Sequence, residues 1–258
     1  MIRELIKLVY PKKPFFAPSW RMMICIPSSI TEVEKRAVRD SAEQAGAKEV
    51  YMIHEPMAAA LGIGIDVEEP VGNMIIDIGG GTTGITVIAL AGIVCDQSIR
   101  IAGDEFTADI MEALRRYHSL LIGERTAEQI KIHVGAALKD LDNPPDDMPV
   151  NGRDLVTGIP KQIMVSYQEV AEALDKSIFK IEEAILKALE TTPPELAADI
   201  YRRGLYITGG GSLLRGLDKR LSQKIKLPVH VADDPLKSVV RGTGIALKNY
   251  QRFPFIMR

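Results

Sequence analysis

The chain has 258 residues, 46% hydrophobic and 26% charged, with a formal net charge of −2. This ordinary globular composition excludes collagen-like, disordered and disulfide-scaffold classes, and its balance of charge recruits no nucleic acid. Cys25 and Cys95 each lie inside an apolar run and read as reduced core residues of a cytosolic protein.

Residues 1–21 hold five bases and one acid, a local charge of +4 against −6 for the remainder. No signal peptide is read at this end, because it has no long apolar run followed by a small-residue cleavage site. Ile2, Leu5, Ile6 and Val9 share one helical face, and Pro11, Pro14 and Pro18 prevent helix through residue 18. Met22–Ile26 reads as a buried strand. Thr31 and Glu34 form a capping box opening a helix that ends at Gly46. A short strand over Val50–Ile53 precedes an alanine-rich helix with Pro56 in its first turn. Strands follow over Asn73–Ile78, Ile85–Leu90 and Gly92–Ile99. The uncharged stretch 78–95 has 18 residues, the crude length of a membrane span, but its five glycines and three threonines rule out a helix.

Helical periodicity returns at Phe106–Tyr117, and Thr126 with Gln129 is expected to cap the next helix. A hairpin is expected around Asn151-Gly152, with a strand near Ile163–Val165. Ser166 and Glu169 cap the longest helix, which Pro193-Pro194 ends, and a short helix runs on to Arg203. Leu205–Thr208 is a strand, Leu213–Ile225 a helix, Val229–Ala232 a strand, and the last helix spans about 236–250. Alternating strands and helices make the class α/β.

Two strands run straight into triple glycines: one into Gly79-Gly80-Gly81-Thr82-Thr83-Gly84, the other into Gly209-Gly210-Gly211-Ser212. Glycine lets backbone N–H groups converge on an anion, because no Cβ blocks the approach. The first run matches G-x-G-x-x-G, yet a strand rather than a helix follows, so it is no dinucleotide fingerprint. Strand, Asp77, glycine turn, threonines, strand instead reads as a phosphate-gripping hairpin. Asp77 would face a metal through water, and the Thr82 and Thr83 hydroxyls would position phosphate or attacking water. The second run opens a helix, whose N-terminus suits a phosphate and its sugar. Taken singly, either run also reads as a tight strand-exit turn.

Glu55-Pro56-Met57-Ala58-Ala59-Ala60-Leu61-Gly62, Asp77-Ile78-Gly79-Gly80-Gly81-Thr82-Thr83 and Thr208-Gly209-Gly210-Gly211-Ser212-Leu213-Leu214 stand in order along the chain. Together they resemble the superfamily of actin, the sugar kinases and the seventy-kilodalton heat-shock chaperones, matching its first connecting, second phosphate and adenosine motifs. Within it the chain is similar to the MreB family of bacterial actins, as Pro194-Glu195-Leu196-Ala197 and Asp234-Pro235-Leu236 also are. The resemblance spans essentially the whole chain.

The resemblance implies an actin-like ATPase fold of ribonuclease-H-like type, with two lobes and the first incomplete. Residues 1–69 and 239–258 would form the first lobe, 70–105 and 170–238 the second, and 106–169 a small insert. ATP and Mg²⁺ would be the cofactors. Glu55 would activate the attacking water, Thr82 would hold it, and Asp77 would sit near Mg²⁺. Glu128 and Lys131, on one helical face, would reach the ribose and adenine, although by residue type alone they read as a solvated ion pair. Gly209–Ser212 would line the adenosine. Both glycine corners are expected to converge on the one nucleotide from opposite lobes. His54 stands where a second acid is common, Gly84 replaces an acid, and Ala102 replaces a glycine before Gly103-Asp104. The family's first phosphate loop is missing, as though the chain began inside the first domain, and poor ATP hydrolysis is expected.

Pro14-Phe15-Phe16-Ala17-Pro18-Ser19-Trp20, flanked by Lys12, Lys13 and Arg21, reads either as a loop folded onto the core or as a membrane-dipping loop with Phe15, Phe16 and Trp20 in the acyl boundary. The family favours the second. It implies a rod-shape filament subunit that self-assembles, in antiparallel pairs of protofilaments, at the inner face of the cytoplasmic membrane. There it would organise peptidoglycan synthesis with partners such as MreC and RodZ. The alternatives are a sugar kinase of the same fold, a chaperone ATPase, and a nucleotide-free remnant that only packs on membrane or partners.

Overall fold

The structure, a computed structural model, describes residues 2–9 and 20–258. The chain falls into two units: Met1–Glu69 with Leu90–Gly92 and Lys237–Arg258, and Pro70–Ala89 with Ile93–Leu236.

The first unit begins with helix α1 (Ile2–Val9). Strands β1 (Trp20–Ile26) and β2 (Ala47–His54) pair in parallel through the crossover helix α2 (Glu32–Gln44). The predicted box starts α2: the Thr31 N–H donates to Glu34 at 2.9 Å, and the Glu34 N–H returns to the Thr31 hydroxyl at 3.3 Å. Val50, Tyr51, Met52 and Ile53 of β2 are buried as one run, as expected of a parallel strand covered on both faces. Met52 and Met257 exchange backbone hydrogen bonds of 2.8 and 3.0 Å, which fastens the C-terminal segment to β2.

Helix α3 (Glu55–Gly62) crosses α9 (Ser238–Lys248) with backbone against backbone. A Cβ on Gly62 would lie 1.8 Å from the Ser238 carbonyl oxygen, and one on Gly242 would lie 1.7 Å from that of Ala58. Small residues at four-residue spacing on each helix create this approach, so the alanine-rich stretch finds its partner near the far end of the sequence.

The second unit is built on a five-stranded sheet in the order β10-β9-β3-β4-β5. Its members are β3 (Asn73–Ile78), β4 (Thr83–Ala89), β5 (Gly92–Ile99), β9 (Leu205–Thr208) and β10 (Val229–Val231). β10, β9 and β3 are parallel, and β4 turns back antiparallel to β3. Helix α6 (Tyr167–Thr191), opened by the Ser166–Glu169 box, buries Val170, Leu174, Ile178, Ile181 and Ile185 in the core that covers this sheet. That core also takes helices α4 (Gly103–His118), α5 (Glu124–Val134), α7 (Pro194–Arg203) and α8 (Leu217–Ile225). A second, antiparallel sheet joins β6 (Leu120–Leu121), β7 (Met148–Asp154) and β8 (Pro160–Val165).

Three local expectations are corrected. Helix α5 starts at Glu124 and not at a Thr126 cap, because the Gly123 carbonyl accepts the Thr126 and Ala127 N–H groups at 3.0 and 3.1 Å. Asn151-Gly152 lies within β7, paired with Gln162 and Lys161, and makes no turn. Gly152 is needed there because a Cβ would meet the Leu121 carbonyl oxygen at 2.7 Å as β6 passes. The hairpin turns instead at 155–159, where Asp154 Oδ1 accepts the N–H groups of Val156 (2.8 Å) and Thr157 (2.9 Å) and Gly158 takes φ +77°. Helix α8, expected from Leu213, starts at Leu217.

The turn carries its own pH signature. The Thr157 and Val156 N–H groups, helped by Lys161 at 3.3 Å, hold the Asp154 carboxyl down at about 2, from 3.8 in the ordinary state. A carboxyl depressed by folding contributes stability fully above its unfolded value and loses it as pH falls through the folded one. Carboxyl NMR should therefore place the Asp154 midpoint near 2, with the hairpin loosening between pH 4 and 2. A midpoint at 3.8 would remove this account of the turn.

Candidate functional site

β3 and β9 lie side by side, with Asp77 opposite Thr208, and each leaves the sheet into its glycine run. Gly209 has φ +80°, and a Cβ there would stand 2.4 Å from Asp77 Oδ1 and from the Ile78 carbonyl oxygen. A Cβ on Gly211 would stand 2.2 Å from Ile78 Cγ2. The two corners thus abut at the carboxyl ends of neighbouring parallel strands, where open α/β sheets bind ligands. Both belong to the second unit, which corrects the expectation that they approach from opposite lobes. Consecutive motifs along the chain have become adjacent strands of one sheet.

The first corner is closed by Gly79 N–H donating to the Thr82 carbonyl at 3.0 Å. Its Gly79 and Gly80 carbonyls accept the N–H groups of Gly103 (3.1 Å) and Asp104 (2.7 Å), the opening residues of α4. The N-terminus of α4 is thereby spent on tethering the glycine turn. Gly80, Gly81 and Thr82 are exposed. Thr83 is buried as the first residue of β4 and donates its hydroxyl to the Ile101 carbonyl at 2.6 Å. That hydroxyl serves the fold, against the expectation that it positions phosphate or water.

The second corner forms a single 3₁₀ turn over Gly210–Leu213, and α8 begins only at Leu217 rather than at Leu213 as expected. The chain straightens at Leu214 and reverses at Gly216, φ +73°, because Arg215 pairs with the 136–137 backbone in between. Ser212 is buried, and its hydroxyl donates to the Gly209 carbonyl at 2.7 Å, holding the turn from within.

Between these corners lies a cleft of about 630 Å³, lined by Gly79, Gly80, Gly103, Asp104, Glu128, Lys131, Gly210 and Gly211 on its polar side. Phe106, Ile132, Leu213, Leu214 and Leu236 supply the apolar side. Of these, Ile132, Leu213 and Leu236 are 61%, 55% and 68% exposed, an arrangement suited to a flat aromatic ring. Glu128 and Lys131 pair at 2.7 Å. Partial burial pushes the Glu128 carboxyl up, but hydrogen bonds from Lys131 and Thr107 and the lysine charge hold it below the ordinary glutamate value.

The cleft therefore gathers Gly79, Gly80, Glu128, Lys131, Gly210 and Gly211, with Gly81 and Thr82 beside it on the same corner and Asp77 partly buried behind Gly209. Glu55 is exposed at the start of α3 in the first unit. Trp20 opens β1, beside Gly46, instead of ending a loop, and Phe15 and Phe16 lie outside the described residues. Sequence reasoning did not assign Asp104, Thr107, Ile132 or Leu236. Apolar residues carry no signal of their side, and Thr107 reads as one more position on a helix. Among the described residues no helix is long and apolar enough to cross a membrane.

Three parallel strands extended by an antiparallel hairpin, with paired glycine corners at one end and the cleft beside them, define the fold of the actin-like ATPases. Within that class the sequence profile of the MreB/Mbl protein family matches residues 1–254, and the chain belongs to this family. The cell shape-determining protein Mbl of Bacillus subtilis (strain 168) is 46% identical over 254 residues, covering 98% of this chain and 75% of Mbl. The cell shape-determining protein MreB of Escherichia coli (strain K12) is 47% identical over 251 residues, covering 96% and 71%. The crystal structure of MreB 5 of Spiroplasma citri bound to AMPPNP superposes with a TM-score of 0.91 at 37% identity, covering 97% of this chain and 75% of that one. The MamK double helical filament, TM-score 0.78 at 22% identity, shares the fold.

Proposed function

We propose that this chain binds ATP in the cleft of its second unit and serves as a subunit of a cell-shape filament on the inner face of the cytoplasmic membrane. The observation that carries the nucleotide reading is the abutment of two glycine corners beside a cleft whose volume suits a ligand of that size. MreB 5 of Spiroplasma citri, solved with AMPPNP and with ADP, supports it. The Gly79–Thr82 corner, exposed from Gly80 onwards, takes the phosphates, Glu128 the sugar side, and the Gly210–Leu214 turn with Ile132 and Leu236 the base.

Among the described residues no three His, Cys, Asp or Glu side chains cluster as a metal cage. Mg²⁺ fits such a site when phosphates supply most of its ligands and only one or two carboxylates assist. Asp77, held against the Cβ-free Gly209, and Asp104, at the mouth of the glycine corner, are the carboxylates for that role. Glu55 keeps the task of activating water and Thr82 that of holding it. Residues 106–169 act as the insert of the second lobe (70–105 and 170–238), and 1–69 with 239–258 form the first. Phe15, Phe16 and Trp20 contribute to membrane attachment. Self-assembly and wall-elongation partners such as MreC and RodZ complete the role in peptidoglycan synthesis.

Gly80→Val tests the cleft. A Cβ at Gly80 has its nearest neighbours at 3.6 Å, on the Asp104 carboxylate, so the variant folds while its side chain fills the phosphate corner. Calorimetric affinity for a non-hydrolysable ATP analogue should fall at least about tenfold, roughly 1.4 kcal/mol, with an unchanged melting temperature. Equal affinity in the two proteins would displace the nucleotide from this cleft.

A further inference from the structure

Thr107 lies one turn into α4 and is 3% exposed. Its hydroxyl oxygen stands 2.9 Å from Glu128 Oε2, 2.9 Å from the Gly103 carbonyl oxygen and 3.0 Å from Lys131 Nζ. Lys131 Nζ stands 2.8 Å from the same Gly103 oxygen and 2.7 Å from Glu128 Oε2. An ammonium has three N–H donors. Lys131 meets three acceptors, on Gly103, Thr107 and Glu128.

The Thr107 hydroxyl has one proton and accepts the lysine's; of its two acceptors at 2.9 Å, the charged Glu128 Oε2 draws that proton more strongly than the neutral Gly103 carbonyl. Both donors thus converge on Oε2. Oε1 has no hydrogen-bond partner among the described residues, and Glu128 lines the cleft with its side chain 46% exposed. What this wall presents to a ligand is one anionic acceptor, beside a cation already engaged by three oxygens.

We propose that Thr107 and Lys131 are positioning residues that lock Glu128 so that Oε1 reads a hydrogen-bond donor on the bound nucleotide, a ribose hydroxyl or the purine amine. The proposal rests on the cleft being the nucleotide site. A ligand lacking that donor leaves the locked oxygen desolvated and unpaired, and an unmade bond to a charged group is expensive. With Thr107 replaced by an apolar isostere, the carboxylate is freer to turn towards solvent, so the missing donor matters less.

Thr107→Val and Thr107→Ser separate this role from a merely structural one. Affinities are measured for ATP, 2′-deoxy-ATP, 3′-deoxy-ATP and inosine triphosphate, and the Glu128 carboxyl is titrated by NMR in each ligand-free protein. In the native chain at least one analogue should bind about tenfold or more weakly than ATP, and which one names the donor. Thr107→Val should weaken ATP about tenfold and shrink that preference below about threefold, while Thr107→Ser keeps both. The Glu128 midpoint should rise in the valine variant and stay in the serine variant. Equal loss of ATP and every analogue in Thr107→Val, or an unmoved Glu128 midpoint, would overturn the proposal. If the native chain binds no ATP, the nucleotide reading of the cleft fails separately, and the carboxyl titration still decides whether Thr107 positions Glu128.

Discussion

Gly242→Ala should cost the first unit at least about 3 kcal/mol, an unusually large effect for a single added methyl group. The added carbon would sit 1.7 Å from the Ala58 carbonyl oxygen, with the Ala58 carbonyl carbon at 2.7 Å and the Gly62 nitrogen at 2.8 Å. All three are backbone atoms, so no side chain can swing away. Helices α3 and α9 would have to separate, and α9 also packs on β1. Denaturant melts can follow this directly, because Trp20, the one tryptophan of the chain, lies in β1 of the same unit. Gly244→Ala is the matched control: the same helix, two residues on, with nothing within 4 Å of the new carbon. There the gain in helix propensity predicts stabilisation of about 0.5–1 kcal/mol. Similar costs at both positions would show that the close crossing is not what Gly242 provides.

Arg220→Ala is expected to destabilise the second unit by about 3–5 kcal/mol. Arg220 of α8 places Nε 2.7 Å from Glu182 Oε1, and Nη1 2.8 Å from Asp175 and 3.1 Å from the Ala137 carbonyl. Glu182 is 3% exposed in the middle of α6. Removing the arginine leaves a carboxylate in the core with no counter-charge, whereas the pair to Asp175, at the solvent edge, contributes little. The double variant Arg220→Met with Glu182→Leu replaces both charges by packed apolar groups and should recover most of the loss. Calorimetric melts of the two variants decide it. A single variant as stable as the native chain would mean that Glu182 finds water or another partner when Arg220 is gone.

Much of the fold was legible because it is local. Both capping boxes, Thr31 with Glu34 and Ser166 with Glu169, join residues three apart, so their geometry follows from the helix itself. The 3.6-residue apolar period of α6 and the strand following Gly84 could be read in the same way. That strand separated a phosphate-type hairpin from a dinucleotide fingerprint, and the motif order pointed to the actin-like class. Where a competing interaction came from elsewhere in the chain, the reading failed. Asn151-Gly152 has the composition of a turn, but β6 passes so close that the glycine is needed in mid-strand. Thr126 has the composition of a cap, but the Gly123 carbonyl had already supplied one.

The sequence by itself determined most of the helices and strands, where glycine corners follow strands, and the class of fold they build. Those properties depend on hydrogen bonds and side-chain periods that reach no more than about four residues. Only the tertiary structure decided that both corners lie on neighbouring strands of one unit, that Thr83 and Ser212 spend their hydroxyls on backbone carbonyls, and that Lys131 meets Gly103, Thr107 and Glu128 at once. Each of those outcomes depends on which distant backbone arrives within 3 Å, and no periodicity encodes that. A polar side chain is functional or structural according to whether its hydrogen-bonding capacity is already filled, and that is settled only when the chain has closed around it.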